Sequence, residues 1–219
     1  LLGTSIATAI LPTLSELFSS ERFDELKEKI ERAGKVMLAL TIPVAIVAGV
    51  VLTPAIQAFL GLEPADTARV VDVSRIYLIG IVGHSMVELF VRSFYALQKP
   101  KYPLMGAVAT LVVFILLSLV LSPALQAKGI AAANTLAYSL QAGLLLVLLN
   151  PHLTSKLRLS KSFIMGLIGA ALGGGAAFAV LNYAPRFAGT LIGAVAGAVL
   201  GLAVGAVVIR EDFANLRQL

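Results

Sequence analysis

The sequence predicts an all-α fold, a polytopic membrane bundle of about seven transmembrane helices. Hydrophobic residues make up 58% of the 219 residues and charged residues only 13%, whereas soluble domains carry about 25% charged residues. The apolar residues form blocks of roughly 20 residues, the length that crosses a hydrocarbon core. Because the basic residues lie between these blocks, the net charge of +5 indicates membrane topology rather than a nucleic-acid partner.

Prolines, serines and charged residues separate the apolar blocks. The first block begins at Leu1 with no initiator Met and no basic segment ahead of it. This is not the pattern of a signal peptide, and we expect that the sequence starts within a longer protein. The predicted spans cover residues 1–17, 36–60, 72–97, 104–122, 129–150, 162–182 and 188–209.

The distribution of Lys and Arg predicts which side of the membrane each gap faces. The gaps after the first, third, fifth and seventh spans, with their flanking turns, hold thirteen basic residues, and the opposite side holds four. Because cytoplasmic loops are enriched in Lys and Arg, we expect a cytoplasmic C-terminus. The four basic residues on the outer side are Arg69, Arg75, Lys128 and Arg186.

The gap after the first span predicts an amphipathic helix. Ser20 is suited to cap it, and Phe23, Leu26 and Ile30 fall on one face. Two interpretations are open, an interfacial helix that couples the first two spans and a solvated connector.

Ionisable residues at membrane depth are functional candidates because a charge there is costly. The third span holds His84, Glu88 and Arg92, each four residues from the next, so they share one helix face. In a functional interpretation Arg92 meets an anionic head group while Glu88 and His84 take part in ion or proton coupling. In a structural one, Glu88 and Arg92 form an ion pair and His84 is hydrogen-bonded inside the bundle.

A polar stripe also follows the fifth span. Asn134, Tyr138 and Gln141 repeat at helical spacing beside Thr135, and the fourth span carries Ser118. Such stripes predict a shared interior that is wet or lined for a ligand. Interhelical hydrogen bonding is the alternative.

Glycines four residues apart mark one face of the last span. A face of this kind lets another helix backbone approach closely. Close packing against the sixth span and a smooth groove for a lipid tail are both open. The glycines are Gly189, Gly193, Gly197, Gly201 and Gly205.

Catalytic and metal-binding patterns are absent from the sequence. There is no Cys, both His residues are isolated, and no phosphate loop, metal-ligand spacing or nucleophile–base arrangement occurs. We therefore expect no enzyme activity, no cofactor and no metal site.

Four short motifs occur in order along the chain: Leu-Pro-x-Leu-Ser at 11–15, Leu-Thr-x-Pro at 40–43, Arg-x-Phe-Tyr-Ala-x-Gln at 92–98, and Gly-x-Ala-x-Ala at 129–133. Together they resemble helices eight to fourteen of the lipid II flippases of MurJ or MviN type, in the multidrug/oligosaccharidyl-lipid/polysaccharide (MOP) exporter superfamily. The likeness extends over the whole chain with the same helix order and orientation.

The resemblance implies part of a MATE-like transporter fold with two lobes. Residues 1–150 would form five helices of the second lobe, and residues 151–219 two additional helices that form a lipid-tail groove. The full protein would move undecaprenyl-pyrophosphate-linked disaccharide-peptide (lipid II) across the bacterial cytoplasmic, or inner, membrane by alternating access. Its partners would be that undecaprenyl-linked lipid substrate, membrane lipids and the missing N-terminal lobe.

One departure from the family pattern concerns ion coupling. Some relatives carry sodium ligands in the eleventh helix at positions matched here by Phe114 and Ser118, although Thr135 is retained on the twelfth. Sodium coupling is therefore not expected. Two other functions remain open, a flippase for another polyprenyl-linked glycan, such as an O-antigen or teichoic-acid precursor, and a non-transporting membrane scaffold of the same fold.

Overall fold

The computed structural model describes the backbone of residues 2–183 and 185–208 and the side chains of residues 4–183 and 193–207. Every regular element in this part is helical, which confirms the predicted all-α fold. The elements are α1 (Leu2–Ser19), α2 (Phe23–Leu60), α3 (Pro64–Ala96), α4 (Lys101–Leu125), α5 (Ala127–Leu149), a 3₁₀ turn (Asn150–His152), α6 (Ser160–Tyr183) and α7 (Pro185–Val208).

Each predicted span corresponds to one of the seven α-helices. Five of them, α2 to α6, are both long and apolar enough to cross a membrane. For α7 the side chains described form a shorter apolar stretch, Gly193–Val207. Most of the helices begin before or end after their predicted spans. The apolar pattern marks the hydrocarbon depth, whereas the backbone stays helical up to the next turn-forming residue.

The amphipathic segment before the second span is not a separate helix. It forms the first turns of α2, which begins after Arg22 without a side-chain cap, so the expected cap by Ser20 is wrong. Leu26 and Ile30 are fully buried in the core that α1 and α3 also enter, while Phe23 stays exposed. The apolar face of the segment therefore packs inside the bundle, which rules out a solvated connector, while an interfacial position stays a prediction.

Two groups of helices pack against α2. On one side, α3 contacts α1, α2 and α5, and α4 lies mainly against α5; on the other, α6 and α7 form a hairpin seated on α2. The tightest core includes Phe90 and Phe94 of α3. The outer face of α4 exposes large apolar side chains such as Leu104, Leu119 and Val120, as expected of a helix at the edge of a membrane bundle.

Candidate functional site

The polar stripes predicted on the third and fifth spans meet between α3 and α5. The imidazole of His84 stacks on the ring of Tyr138, with ring centroids 3.6 Å apart. Its Nε2 atom lies 3.3 Å from the amide oxygen of Asn134. Because an amide oxygen only accepts, this hydrogen bond requires the proton on Nε2. His84, Asn134 and Tyr138, which helical spacing singled out in the sequence, are therefore in contact in the fold.

Small residues on α3 allow α5 to approach this closely. A Cβ atom on Gly80 would lie 2.7 Å from the Thr135 Oγ1, and one on Gly83 would lie 3.0 Å from the Ser139 Oγ. The Thr135 hydroxyl donates to the carbonyl of Ile76 at 2.9 Å. Thr135 thus lies in the same interface, bonded to the α3 backbone, as the interhelical interpretation requires.

A cavity of about 300 Å³ opens between α3, α4 and α5. Three residues of the predicted polar stripe, Asn134, Tyr138 and Gln141, line it, and Gln141 is buried. No charged side chain described here borders the cavity, so it can offer hydrogen bonds to neutral polar groups but no countercharge. The lining residues are Val87, Ala107, Thr110, Leu111, Phe114, Asn134, Tyr138 and Gln141.

Ser118 lies one turn after Phe114 on α4, outside the cavity wall. Its hydroxyl is buried and has no hydrogen-bond partner among the residues described. Phe114 fills the neighbouring position with an apolar ring that borders the cavity. In the described part of the chain, no three His, Asp or Glu side chains lie close enough together to hold a metal ion.

Glu88 and Arg92 form an ion pair along α3, away from the cavity wall. The Arg92 Nη2 lies 3.5 Å from the Glu88 Oε2, and both side chains are partly exposed. The Arg92 Nε is buried without a partner among the described residues, so the guanidinium keeps an unused donor. The ion pair is the contact expected in the structural interpretation, while any role of Glu88 or Arg92 towards a substrate stays a prediction.

The glycine face of α7 lies in helix–helix contact. A Cβ on Gly201 would lie 2.5 Å from the Gly173 carbonyl oxygen, and one on Gly197 would lie 3.0 Å from the Ala177 carbonyl oxygen. A Cβ on Gly205 would lie 3.3 Å from the Cβ of Pro43 on α2. Gly193 is buried as well; Gly189 is outside the residues whose side chains are described. These glycines therefore permit close packing of α7, and a lipid-tail groove stays a prediction.

Glu31 forms a cluster of contacts that the sequence only partly indicated. Its carboxylate accepts from Lys27 at 2.5 Å and Lys35 at 2.7 Å, and from the backbone N–H of Arg158 at 3.1 Å. Glu31 precedes the predicted span at 36–60. Burial favours a higher pKa, but the three hydrogen bonds outweigh it and lower the pKa of Glu31 to about 2. The i,i+4 spacing of Glu31 and Lys35 is a local signal for their ion pair, whereas the contact with Arg158 spans 127 residues and has no local signal.

His152, which looks isolated in the sequence, has several neighbours in space. The Lys99 ammonium lies 3.2 Å from its Nδ1, and its ring packs beside Tyr102 at a centroid distance of 5.1 Å. Burial lowers the pKa of His152, and the nearby charge of Lys99 adds to this effect. These contacts, together with those of Glu31, hold the connection between α5 and α6 against the end of the bundle.

Comparison with known proteins identifies the family. Residues 1–205 match the family model described as "Lipid II flippase MurJ". Among relatives, the chain is 28% identical over 138 residues to the probable lipid II flippase MurJ of Rhizobium meliloti (strain 1021), covering 62% of this chain and 26% of that protein. It is 22% identical over 174 residues to the lipid II flippase MurJ of Bacillus subtilis (strain 168), covering 78% of this chain and 32% of that protein.

A solved structure supports the same fold. The chain superimposes on "Lipid II flippase MurJ, inward closed conformation" with a TM-score of 0.76 and 21% identity, over 96% of this chain and 44% of that one. The chain thus spans about a quarter to a third of the length of the two relatives compared above. Since the family model covers nearly the whole chain, the protein belongs to the lipid II flippase MurJ family.

Proposed function

We propose that this chain is the second-lobe part of a lipid II flippase, which moves undecaprenyl-pyrophosphate-linked disaccharide-peptide across the bacterial inner membrane by alternating access. The observation that carries the proposal is the family match over residues 1–205. The structural likeness over 96% of the chain supports the same transporter fold. The excess of basic residues in alternate gaps supports a cytoplasmic C-terminus.

We further propose a division of labour within the chain. Residues 1–150 act as the lobe that moves against the missing N-terminal lobe, and residues 151–219 add the hairpin that guides the lipid tail. The seating of α6 and α7 on α2 supports this division. The Arg158 contact with Glu31 joins the hairpin to the lobe, so both move together during transport.

The α3–α4–α5 cavity is the part of the lobe best suited to the polar portion of the substrate. Its lining offers an amide from Asn134, an amide from Gln141 and a hydroxyl from Tyr138. Sugars and peptide groups are neutral and rich in hydrogen-bonding atoms, so they match these side chains. The pyrophosphate needs a cation, which the cavity lining lacks; Arg92 of α3, outside the cavity wall and paired with Glu88, is the candidate.

The test uses the full-length gene in cells depleted of their own flippase. Gln141→Leu removes a buried amide from the cavity at similar volume, and we expect at least tenfold slower appearance of lipid II at the outer leaflet. Gln57→Leu is the matched control, because Gln57 is exposed near the end of α2. The rate is measured by the accessibility of lipid II to an external cleaving enzyme.

Each outcome separates the proposal from its alternatives. Wild-type rates for Gln141→Leu would remove the cavity from the transport path. Failure of the wild-type gene to restore lipid II transport, with restoration of an O-antigen or teichoic-acid precursor instead, would identify another polyprenyl-linked glycan as the substrate. Failure to restore either would favour a scaffold.

A further inference from the structure

An apolar groove runs between α2, α3 and α6. Its volume is about 520 Å³, within the range of roughly 300–1,000 Å³ typical of ligand pockets. Ile46, Ile79 and Phe178 form part of its wall and stay at least 40% exposed. Thr53, Arg75 and Asn182 are the polar residues at its border. The groove is therefore a long apolar surface with one cation beside it.

Arg75 is held in place by neutral groups of α2. Its Nε donates to the carbonyl of Gly49 at 2.9 Å, and its Nη2 lies 3.5 Å from the Thr53 hydroxyl. Among the described residues no carboxylate lies within 4 Å of this guanidinium, and Asp72, one turn earlier, is paired with Lys128. A guanidinium has five donors, so these two contacts leave part of its hydrogen-bonding capacity available.

Arg75 lies near the end of the bundle at which α5 begins. Lys128 is the second residue of α5, so its ion pair with Asp72 marks the end of the bundle at which α5 begins. Arg75 follows Asp72 by three residues, about 4.5 Å deeper along α3. Ile46 lies a further turn inside, three residues before Gly49 on α2. The charge-based topology puts this end of the bundle at the outer leaflet.

We propose that this groove binds one anionic phospholipid of the outer leaflet, with its phosphate on Arg75 and an acyl chain along the α2–α3–α6 wall. A guanidinium matches the geometry of a phosphate, and Asp72, the carboxylate whose charge interacts with Arg75, is itself bonded to Lys128. The lipid is a resident of the membrane and is not transported, so the site is additional to the proposed flippase function and does not depend on it.

Native mass spectrometry of the delipidated full-length protein tests the proposal, with phosphatidylglycerol and phosphatidylcholine as probes. We expect the first phosphatidylglycerol to bind at least tenfold more tightly than phosphatidylcholine, and Arg75→Gln to abolish this preference. Arg69→Gln is the matched control. It removes the same charge from the same helix, but Arg69 is exposed and pairs with Asp66, so the preference should persist.

A second pair of variants tests the groove while leaving Arg75 intact. A Cβ on Gly49 would meet only Leu78 at 3.7 Å and the Arg75 stem at 3.9 Å, so Gly49→Leu extends into the groove without a backbone clash and should weaken phosphatidylglycerol binding tenfold. Gly143→Leu is the control, since nothing lies within 4 Å of a Cβ there.

Three results would overturn the proposal. The first is equal binding of the two phospholipids by the wild type, and the second is an unchanged preference for phosphatidylglycerol in both Arg75→Gln and Gly49→Leu. The third is displacement of the bound phosphatidylglycerol by one equivalent of undecaprenyl pyrophosphate. The last result would identify the groove as part of the transport path.

Discussion

The rings of His84 and Tyr138 lie face to face with centroids 3.6 Å apart, and this contact fixes the register of α3 against α5. The adjoining Gly80 and Gly83 pack on Thr135 and Ser139, so neither helix can slide without separating the rings. The same register points Tyr138 and Asn134 at the cavity. Packing and cavity shape are thus set by the same few residues.

The first prediction is an energetic coupling between His84 and Tyr138. Stacked aromatic pairs contribute about 0.5–1.5 kcal/mol beyond the area they bury. His84→Ala and Tyr138→Ala should therefore destabilise the full-length protein less than additively when combined, with a coupling of about 1 kcal/mol. Reversible unfolding in bicelles measures the free energy of each variant. Strictly additive losses would mean that the stacking contributes nothing.

The second prediction concerns the Glu31 cluster. Glu31→Gln removes the charge that binds Lys27 and Lys35, and it should lower the free energy of unfolding by about 2 kcal/mol. Glu28→Gln is the control, because the Glu28 side chain is 64% exposed and such pairs contribute less than about 1 kcal/mol. Unfolding of both variants in detergent at pH 7 gives the comparison. Equal losses would contradict the special role of Glu31.

The same carboxylate sets a pH dependence. Its pKa is about 2 in the folded protein, below the ordinary value of 4.5. A lowered folded-state pKa stabilises the protein fully above about pH 4.5, and this stabilisation is lost as the pH falls towards 2. The stability difference between wild type and Glu31→Gln should therefore shrink between pH 4.5 and 2. A difference that stays constant over this range would refute the linkage.

Much of the fold could be predicted from the sequence, because long apolar blocks and helical spacing are local signals. The His84–Tyr138 interface followed from two polar stripes, each readable within one helix. The contact of Glu31 with the Arg158 backbone and the Asp72–Lys128 ion pair join residues far apart in the chain, and no local pattern selects such partners. The start of α2 was missed for another reason: charged residues and buried Leu26 share one segment, which resembles a surface helix until its neighbours are known.

The third prediction is that transport does not require sodium. The cavity is lined by the apolar ring of Phe114, at a position where some relatives are expected to carry a sodium ligand, and a hard cation needs several oxygen ligands. Replacing sodium by choline in the medium should leave the lipid II flipping rate within twofold of its original value. A tenfold fall that is restored by sodium alone would show that the ion binds elsewhere in the transporter.

The fourth prediction separates the packed glycines from the exposed ones. A Cβ on Gly201 would come within 2.5 Å of the Gly173 carbonyl oxygen and 3.1 Å of the Ala177 side chain, so Gly201→Leu must push α6 and α7 apart. We expect a loss of about 1–3 kcal/mol in stability, the usual cost of overpacking. Gly175→Leu adds the same side chain on α6 where nothing lies within 4 Å, and it should leave stability unchanged. Thermal unfolding of the full-length variants distinguishes them. If Gly201→Leu were as stable as wild type, the hairpin would have to open readily at this contact, which is the behaviour that a tail-binding groove between α6 and α7 would need.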